Sequence, residues 1–525
     1  MTHCIDDVRL LFASEGNDKM LDDFLKTVAD INSFINGLVW GWPMIILILG
    51  TGVLLTFRTR CLQVRKFGDS LNSTIVPAVK SIGKKRRKDE RVRSVSQFEA
   101  FSTAISGTVG TGNIVGVVSA ILTGGPGAVF WMWVSAFFGM VTNYSENVLG
   151  LYFRKKDKNG NISGGAFYYI YYGLKWRWLA YTAAVFCIFA AVGMSGVQTN
   201  KISGTVNEAF IRSGVSDGGM TIRLMTGGIV AVITAIVIIG GIQRIGKVAS
   251  MLVPFMSLIF IALSLTSICI HFTNIPQTFA LIFEKAFNFQ AVGGGILGYT
   301  FAEVIKKGMA RGVFSNEAGL GSSVIAHSAS ETREPVKQGL WGVFEVFFDT
   351  FIICTLTSLM FLTNFDVEKL DSGMEDSVMS MTMFSDNFGT FGTAVFSIIL
   401  PLFAFTTIIA WSYYGEKAVE FCFGWVSAKK RRYIVTGFKV IYVVLIAAST
   451  IIQSELIWAI DDTFNGLMAI PNLICVIALS GLVAKITKNY YDRKKGKDIE
   501  PMLSAYPELN EEFKQDITSG DKEMQ

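Results

Sequence analysis

Charge is scarce in this chain. Asp, Glu, Lys and Arg make up 17% of 525 residues, against about 25% in an ordinary soluble protein. Histidine occurs three times, as His3, His271 and His327, too far apart in sequence to suggest a zinc site. The seven cysteines (Cys4, Cys61, Cys187, Cys269, Cys354, Cys422, Cys475) have no paired spacing, no CxxC and no Cys/His cluster. A G-x-x-x-x-G-K-[ST] loop is missing, which argues against ATP hydrolysis within the chain. The formal charge of +5 is not a nucleic-acid footprint, because the basic residues fall in short loops between apolar runs.

What is abundant is hydrocarbon: 51% of residues are hydrophobic and the mean hydropathy is +0.44. The apolar runs are about 20 residues long, enough to cross a hydrocarbon layer of about 30 Å. Eleven spans are expected, at 38–57, 98–122, 127–152, 180–202, 223–241, 250–271, 293–326, 339–363, 391–415, 433–453 and 457–484. The fold class is therefore an all-α integral membrane protein. Alternate loops are rich in Lys and Arg: RTRCLQVRKFGDS with KKRRKDERVR, FRKKDK, IQRIGK, ETREPVK, AKKRRY and KNYYDRKKGK. Such loops stay in the cytoplasm, whereas NFDVEKLDSGMEDS carries five acids and one Lys. The N-terminus is expected outside and the C-terminus inside, in the cell membrane of a prokaryote. No basic region runs directly into an apolar one near the start, so no cleaved signal peptide is expected.

Two stretches break the pattern. SGTVGTGN (Ser106 to Asn113) puts three glycines, two threonines and an asparagine inside the second span. Each glycine lowers helix propensity by about 1 kcal/mol relative to Ala. Irregular backbone at membrane depth persists only where it is buried in protein or lines a polar cavity. An interrupted helix offers free N–H groups to an anion and free carbonyls to a cation. The bland alternative is close helix packing through Gly112 and Gly116. A second polar stretch, GMARGVFSNEAGLGS (Gly308 to Ser322), lies in the other half of the chain. Paired interruptions in two halves point to a transporter site at a repeat interface. Spans two to six (98–271) and seven to eleven (293–484) then form two inverted blocks of five. The span at 38–57 stands outside them, as do the tails at 1–37 and 485–525.

The motifs GTGNIVGVVSAILTGGPGAVFWMWVSAFFGM, GIQRIGKVASMLVPFM, ARGVFSNEAGLGS, QGLWGVFEVFFDTFIICTLTSL, FTTIIAWSYYGEKA and NGLMAIPNL resemble the alanine or glycine:cation symporter family, within the amino acid-polyamine-organocation superfamily. The likeness runs through nearly all the spans. It implies a leucine-transporter-like fold of five-plus-five inverted repeats preceded by one extra helix. It also implies import of a small neutral amino acid, alanine or glycine, coupled to Na+ by alternating access. By the same likeness, N–H groups around Gly110, Thr111, Gly112 and Asn113 hold the substrate carboxylate. Carbonyls of Ser106 and Val109 with the hydroxyls of Thr406 and Thr407 bind Na+, and a second cation site would draw on Thr108 or Asn113.

Gln198 is an amide in an apolar stretch, expected to touch substrate rather than only a neighbouring helix. Phe314 and Trp411 are expected to close the pocket over a small side chain, and Ser315 and Asn316 to line it. Glu317 is expected to pair with Arg311 and lock the second interruption. Glu345 and Asp349 share a helix face at i, i+4, so one of them is expected to be protonated or salt-bridged. Glu146 is a further ionisable residue at membrane depth. Pro254 is expected to kink the sixth span, GGPG (Gly124 to Gly127) to form a turn, and the aromatic run from Phe167 to Trp178 to lie at the interface. The expected partners are a small amino acid, Na+ as coupling ion in place of a cofactor, and the lipid bilayer, with no nucleic acid and no obligate protein partner. The rival readings are a transporter of a larger neutral amino acid such as glutamine, proton coupling, and a channel or membrane-embedded enzyme.

Overall fold

A computed structural model describes residues 15–81, 94–156, 162–287, 300–365, 376–452 and 454–518. The acidic loop around 366–375, the KKRRKDERVR run, His3 and Cys4 lie outside the described residues. The described residues are mostly helical. It opens with α1 (Glu15–Val39), α2 (Trp42–Arg58) and α3 (Phe67–Ser81). The first interrupted helix consists of α4 (Gln97–Thr108) and α5 (Val115–Gly124), joined by one short turn at Thr111–Asn113. Then come α6 (Ala128–Tyr152), α7 (Arg177–Arg212), α8 (Met220–Ile238), α9 (Gly241–Ile270) and α10 (Ile275–Ala286). The second interrupted helix is α11 (Phe301–Asn316) with α12 (Ser323–Ser328). After it follow α13 (Pro335–Asn364), α14 (Asp376–Cys422), α15 (Ala428–Ala448), α16 (Ser454–Ala478), α17 (Ser480–Lys494) and α18 (Pro507–Thr518). Among the described residues, eight helical stretches are long and apolar enough to cross a membrane.

Local chemistry sets the helix ends. Ser96 caps α4: its Oγ accepts from Glu99 N at 2.9 Å, and Glu99 Oε2 accepts from Ser96 N at 2.8 Å. Thr300 and Glu303 repeat this reciprocal cap at the start of α11. Both interrupted helices therefore begin with the same S/T-x-x-E device. Gly125, at φ +75°, turns the chain between α5 and α6, within the expected GGPG turn. Pro254 lies inside a continuous α9.

The interior is filled by side chains from α4 to α7, α11 to α14 and α16. In contrast, α8, α9 and α15 present Ile229, Val232, Met251, Leu258, Val440 and Val444 outward. An apolar outer face over a polar-studded interior is the pattern that lipid selects. The start of α4 and the end of α12 lie together, linked by a parallel bridge between Val95 and Ser330. Val95 N donates to Ala329 O at 3.2 Å and Glu331 N to Val95 O at 2.8 Å.

Several elements depart from the sequence expectation. The segment before Trp42 is not a polar tail in its described part: α1 runs from Glu15 and bonds to α16 through Asn36 and Thr463 at 3.1 Å. Gly389 (φ 58°, ψ −143°) is non-helical and divides α14 in two; the expected ninth span at 391–415 lies in the part after this bend, and the helix from Asp376 that precedes it was not expected. The eleventh is two helices, α16 and α17, meeting at Leu479. The C-terminal segment folds back as α18, where Phe513 is buried, with Leu503 buried just before it.

Candidate functional site

The first interruption starts where α4 stops at Val109 (φ −83°, ψ 89°), which turns its carbonyl off the helical ladder. Gly110 N donates to Asn113 Oδ1 at 3.0 Å, and Thr111 N donates to Gln198 Oε1 of α7 at 3.1 Å. Side-chain amides thus replace the lost helical acceptors at mid-depth. Gly110 is pressed between Gln198 and Thr407, and a Cβ there would meet both. Gly112 backs onto the ring of Phe314, 3.3 Å from where its Cβ would stand. The structure therefore brings Gly110, Thr111, Gln198 and Thr407 together, and joins Gly112 to Phe314.

Thr407, on α14, reaches across to α4. Its Oγ1 lies 2.9 Å from Ser106 O and 3.1 Å from Phe403 O. Thr406 Oγ1 lies 2.9 Å from the same Phe403 carbonyl. Two hydroxyls and two backbone carbonyls, Ser106 O and Phe403 O, thus meet in one cluster of four neutral oxygens. Such a set of neutral oxygens suits a hard cation. Phe403 was missed by sequence reasoning, since a carbonyl ligand leaves no signature in residue type. Thr108 is placed differently: its Oγ1 bonds back to Ile105 O at 3.2 Å, within its own helix. Among the described residues no three His, Cys, Asp or Glu side chains are grouped as a metal site.

The second interruption is held by carboxylates. Glu317 ends α11 in the left-handed region at φ +55°, a conformation that costs a non-glycine residue on the order of 1–3 kcal/mol and collects at functional sites. Its Oε2 accepts from Ser322 Oγ at 2.5 Å. The expected Arg311–Glu317 lock is not formed. Arg311 lies six residues back along α11, and its guanidinium stands over Phe314 and Trp458, 5.0 and 4.8 Å from their ring centroids. Glu146 of α6 accepts from Gly319 N at 3.2 Å, and Asn472 of α16 donates to Glu146 and to Gly319 O. Tyr169 donates to Asn472 in turn. The unwound backbone thus borrows its partners from two neighbouring helices.

A π-helical stretch of α13, Phe347–Cys354, ties the two interruptions together; π-turns inside α-helices are frequent at functional sites. Asp349 Oδ1 accepts from Asn113 Nδ2 at 2.5 Å, and its Oδ2 accepts from Ser315 Oγ and Thr350 Oγ1, each at 2.9 Å. Cys354 Sγ lies 3.5 Å from Asn113 Nδ2 and 3.2 Å from Ser315 Oγ. Thr357 Oγ1 donates to Asn113 O at 2.8 Å. Asn316 joins this knot only through Thr350, donating to its Oγ1 and accepting from Ala318 N, 3.1 Å each.

The two aromatic candidates occupy different walls. Phe314 stacks on Trp458 at 5.7 Å between centroids, whereas Trp411 packs edge-on against Tyr414 at 5.3 Å. Among the described residues they form no ring pair with each other. Tyr414 OH and Thr111 Oγ1 are buried polar atoms without partners beside the interruptions, and Trp411 faces the Glu317 carboxyl. An unpaired polar atom at this depth costs about 1–3 kcal/mol. Asp349, Cys354, Trp458 and Asn472 were missed as site residues; the i, i+4 spacing of Glu345 and Asp349 was the only hint of the first.

The profile of the "Sodium:alanine symporter family" matches residues 25–504. The chain is 38% identical over 490 residues to the sodium/alanine symporter AgcS of Methanococcus maripaludis, covering 90% of this chain and 99% of that one. It is 34% identical over 465 residues to the probable sodium/glutamine symporter GlnT of Bacillus subtilis, covering 88% and 91%. In fold it resembles the crystal structure of MhsT in complex with L-phenylalanine, with a TM-score of 0.53 at 14% identity, covering 76% of this chain and 99% of that chain. The family and its relatives are membrane transporters rather than enzymes, and this chain belongs to the sodium:alanine symporter family.

Proposed function

We propose that the protein imports a small neutral amino acid, alanine or glycine, driven by Na+. In this reading α6 and the two interrupted helices join the eight long apolar stretches to make eleven spans, ordered as one helix plus two inverted blocks of five. The basic end faces the cytoplasm. Na+ lies between Ser106 O, Val109 O, Phe403 O and the hydroxyls of Thr406 and Thr407. The substrate carboxylate lies against the N–H groups of Gly110 to Asn113, with Gln198 and Ser315 beside it and Phe314 and Trp411 as walls. Asn316 contributes by holding the second interruption rather than by direct contact.

The observation that carries this reading is the 2.9 Å approach of Thr407 to Ser106 O, which joins α14 to the first interruption. A cation seated there draws α14 and α4 together and fixes the adjoining backbone. Substrate then binds better with the ion present, and by linkage the ion binds better with substrate. The loaded bundle rocks, and the site opens to the cytoplasm. One charge moved through 100 mV supplies about 2.3 kcal/mol, enough for roughly 50-fold accumulation.

The test is uptake of labelled L-alanine, glycine, D-alanine and L-glutamine into proteoliposomes with and without a Na+ gradient. Saturable uptake of alanine or glycine that vanishes when K+ replaces Na+ supports the reading. Conductance without substrate coupling would point to a channel instead. A relative named as a probable sodium/glutamine symporter supports a second reading, glutamine as substrate. Stronger competition by glutamine than by alanine would establish it.

A further inference from the structure

Glu345 plays no part in the proposed binding steps, yet it is fully buried on α13, one turn before Asp349. Two chains of hydrogen bonds run toward it. In the first, Thr332 N donates to Ser330 Oγ at 3.2 Å, and Ser330 Oγ donates to Gln338 Oε1 at 3.0 Å. That fixes the Gln338 amide, so its Nε2 donates to His327 Nδ1 at 2.6 Å. With Nδ1 accepting, His327 is neutral and carries its proton on Nε2, which faces Glu345 Oε2 at 2.7 Å. In the second, Asn147 Nδ2 donates to Asn143 Oδ1 at 2.6 Å and Asn143 Nδ2 to Ser323 Oγ at 3.2 Å; Asn143 and Ser323 lie against Glu345.

The other titratable groups that face this carboxyl, apart from His327, are acids. Asp349 faces it from its own helix, Glu146 from α6, Glu317 from the second interruption and Tyr414 from α14. His327 on α12 is neutral. Among the described residues, no Lys or Arg forms an ion pair with Glu345 or Asp349. Two carboxylates one turn apart in a site of low dielectric cannot both stay ionised without a cation. Their oxygens are not equivalent. Both oxygens of Asp349 accept hydrogen bonds, one of them from an amide that cannot reverse. Glu345 Oε1 is buried and has no donor, so it is the carboxyl oxygen of the pair with room for a proton.

The geometry points to Glu345 Oε1 as a proton-binding site linked to cation loading. Without a cation Glu345 is a neutral acid. When a cation loads at the first interruption, whose Asn113 is bonded to Asp349, the O–H bond breaks, the proton leaves to solvent, and the carboxylate remains facing His327. This rests on the transporter reading for the identity and the place of the cation.

The test uses purified full-length protein in weakly buffered detergent with a pH-sensitive dye, adding NaCl against choline chloride. The expected result is release of up to one proton per protein on NaCl addition. That release is lost in Glu345→Gln, while Na+-dependent alanine binding persists. Release of equal size in Glu345→Gln would overturn the proposal, as would its absence from wild-type protein that still binds alanine in a Na+-dependent way. Ser323→Ala is the second variant. The Ser323 hydroxyl lies against the carboxyl and already accepts from Asn143 Nδ2, so its own proton is free to bond the carboxylate once the Glu345 proton has left. Losing that donor should raise proton affinity roughly tenfold, moving the pH of maximal release up by about one unit, and an unmoved maximum counts against the site. Failure of alanine to bind in Na+, with proton release intact, would instead sink the substrate assignment and leave the proton site standing.

Discussion

A methyl group at position 107 has nowhere to go. A Cβ on Gly107 would stand 2.8 Å from Tyr414 OH and 3.3 Å from Glu317 Oε1, both buried. Overpacking of this kind costs about 1–3 kcal/mol. Gly107→Ala should lower the thermal midpoint by several degrees and abolish uptake, and Tyr414→Phe on that background should recover part of the midpoint; no recovery would mean that the crowding lies elsewhere. Thr407 offers a cleaner chemical test. Thr407→Ala removes the side-chain oxygen that bridges α14 to Ser106 O, and should raise the Na+ half-saturation tenfold or more. Thr407→Ser keeps the hydroxyl and should stay within about threefold of wild type. Equal shifts in Ala and Ser would separate the effect from oxygen ligation. At this scale, residues whose type carries the chemistry were legible: Gly110, Asn113, Gln198 and Thr407 meet around the first interruption. Phe403 was not, because it contributes a carbonyl that every residue has. The Arg311–Glu317 pairing failed because nearness in sequence says nothing of direction: Glu317 lies beyond the end of α11, while Arg311 is drawn to aromatic faces.

The two interrupted helices were legible as elements because glycine, hydroxyl and amide residues accumulate where hydrocarbon is expected. Their matching starts, Ser96–Glu99 and Thr300–Glu303, were also present in the sequence as capping boxes and went unread. The π-helical stretch at Phe347–Cys354 was not legible. Its apolar composition suits an ordinary helix, and only the partners of Asp349 across three elements reveal why the ladder shifts. What keeps the second interruption unwound is Asn472, whose amide serves both Glu146 and Gly319 O. Asn472→Ala leaves a buried carboxylate short of a donor. Hydrogen bonds to charged groups contribute about 1.5–3 kcal/mol, so the variant should unfold at lower temperature than wild type. Asn472→Asp adds a like charge beside Glu146 and should be worse. A melting series in which Asp is tolerated better than Ala would show that this amide is not the brace.

On the scale of the whole molecule, the described part of the C-terminal segment is fastened to the basic end. Ala505 N donates to Tyr152 O at 2.8 Å, Tyr506 OH to Phe153 O at 3.2 Å, and Lys156 meets Glu512 at 2.5 Å. The ring of Phe513 lies under Arg154, 5.3 Å from its guanidinium, and Arg154 gives its donors to the carbonyls of Ser330 and Thr332 at 2.6 and 2.5 Å. Truncation after Asp498 should therefore lower the thermal midpoint measurably, and Phe513→Ala should reproduce much of the loss; an unchanged midpoint in both would mean the segment adds no stability. The sequence reading treated this stretch as a polar tail because its apolar anchors, Leu503 and Phe513, are too sparse to stand out among charged neighbours. The same sparsity hid α1.

The Val95–Ser330 bridge has a bearing on motion. It knots the strand of chain entering α4 to the strand leaving α12, so neither half-helix is free to swing alone at that end. Any opening there must carry both as a single leaf, and the choice for the molecule is between a door that stays shut and one that turns whole.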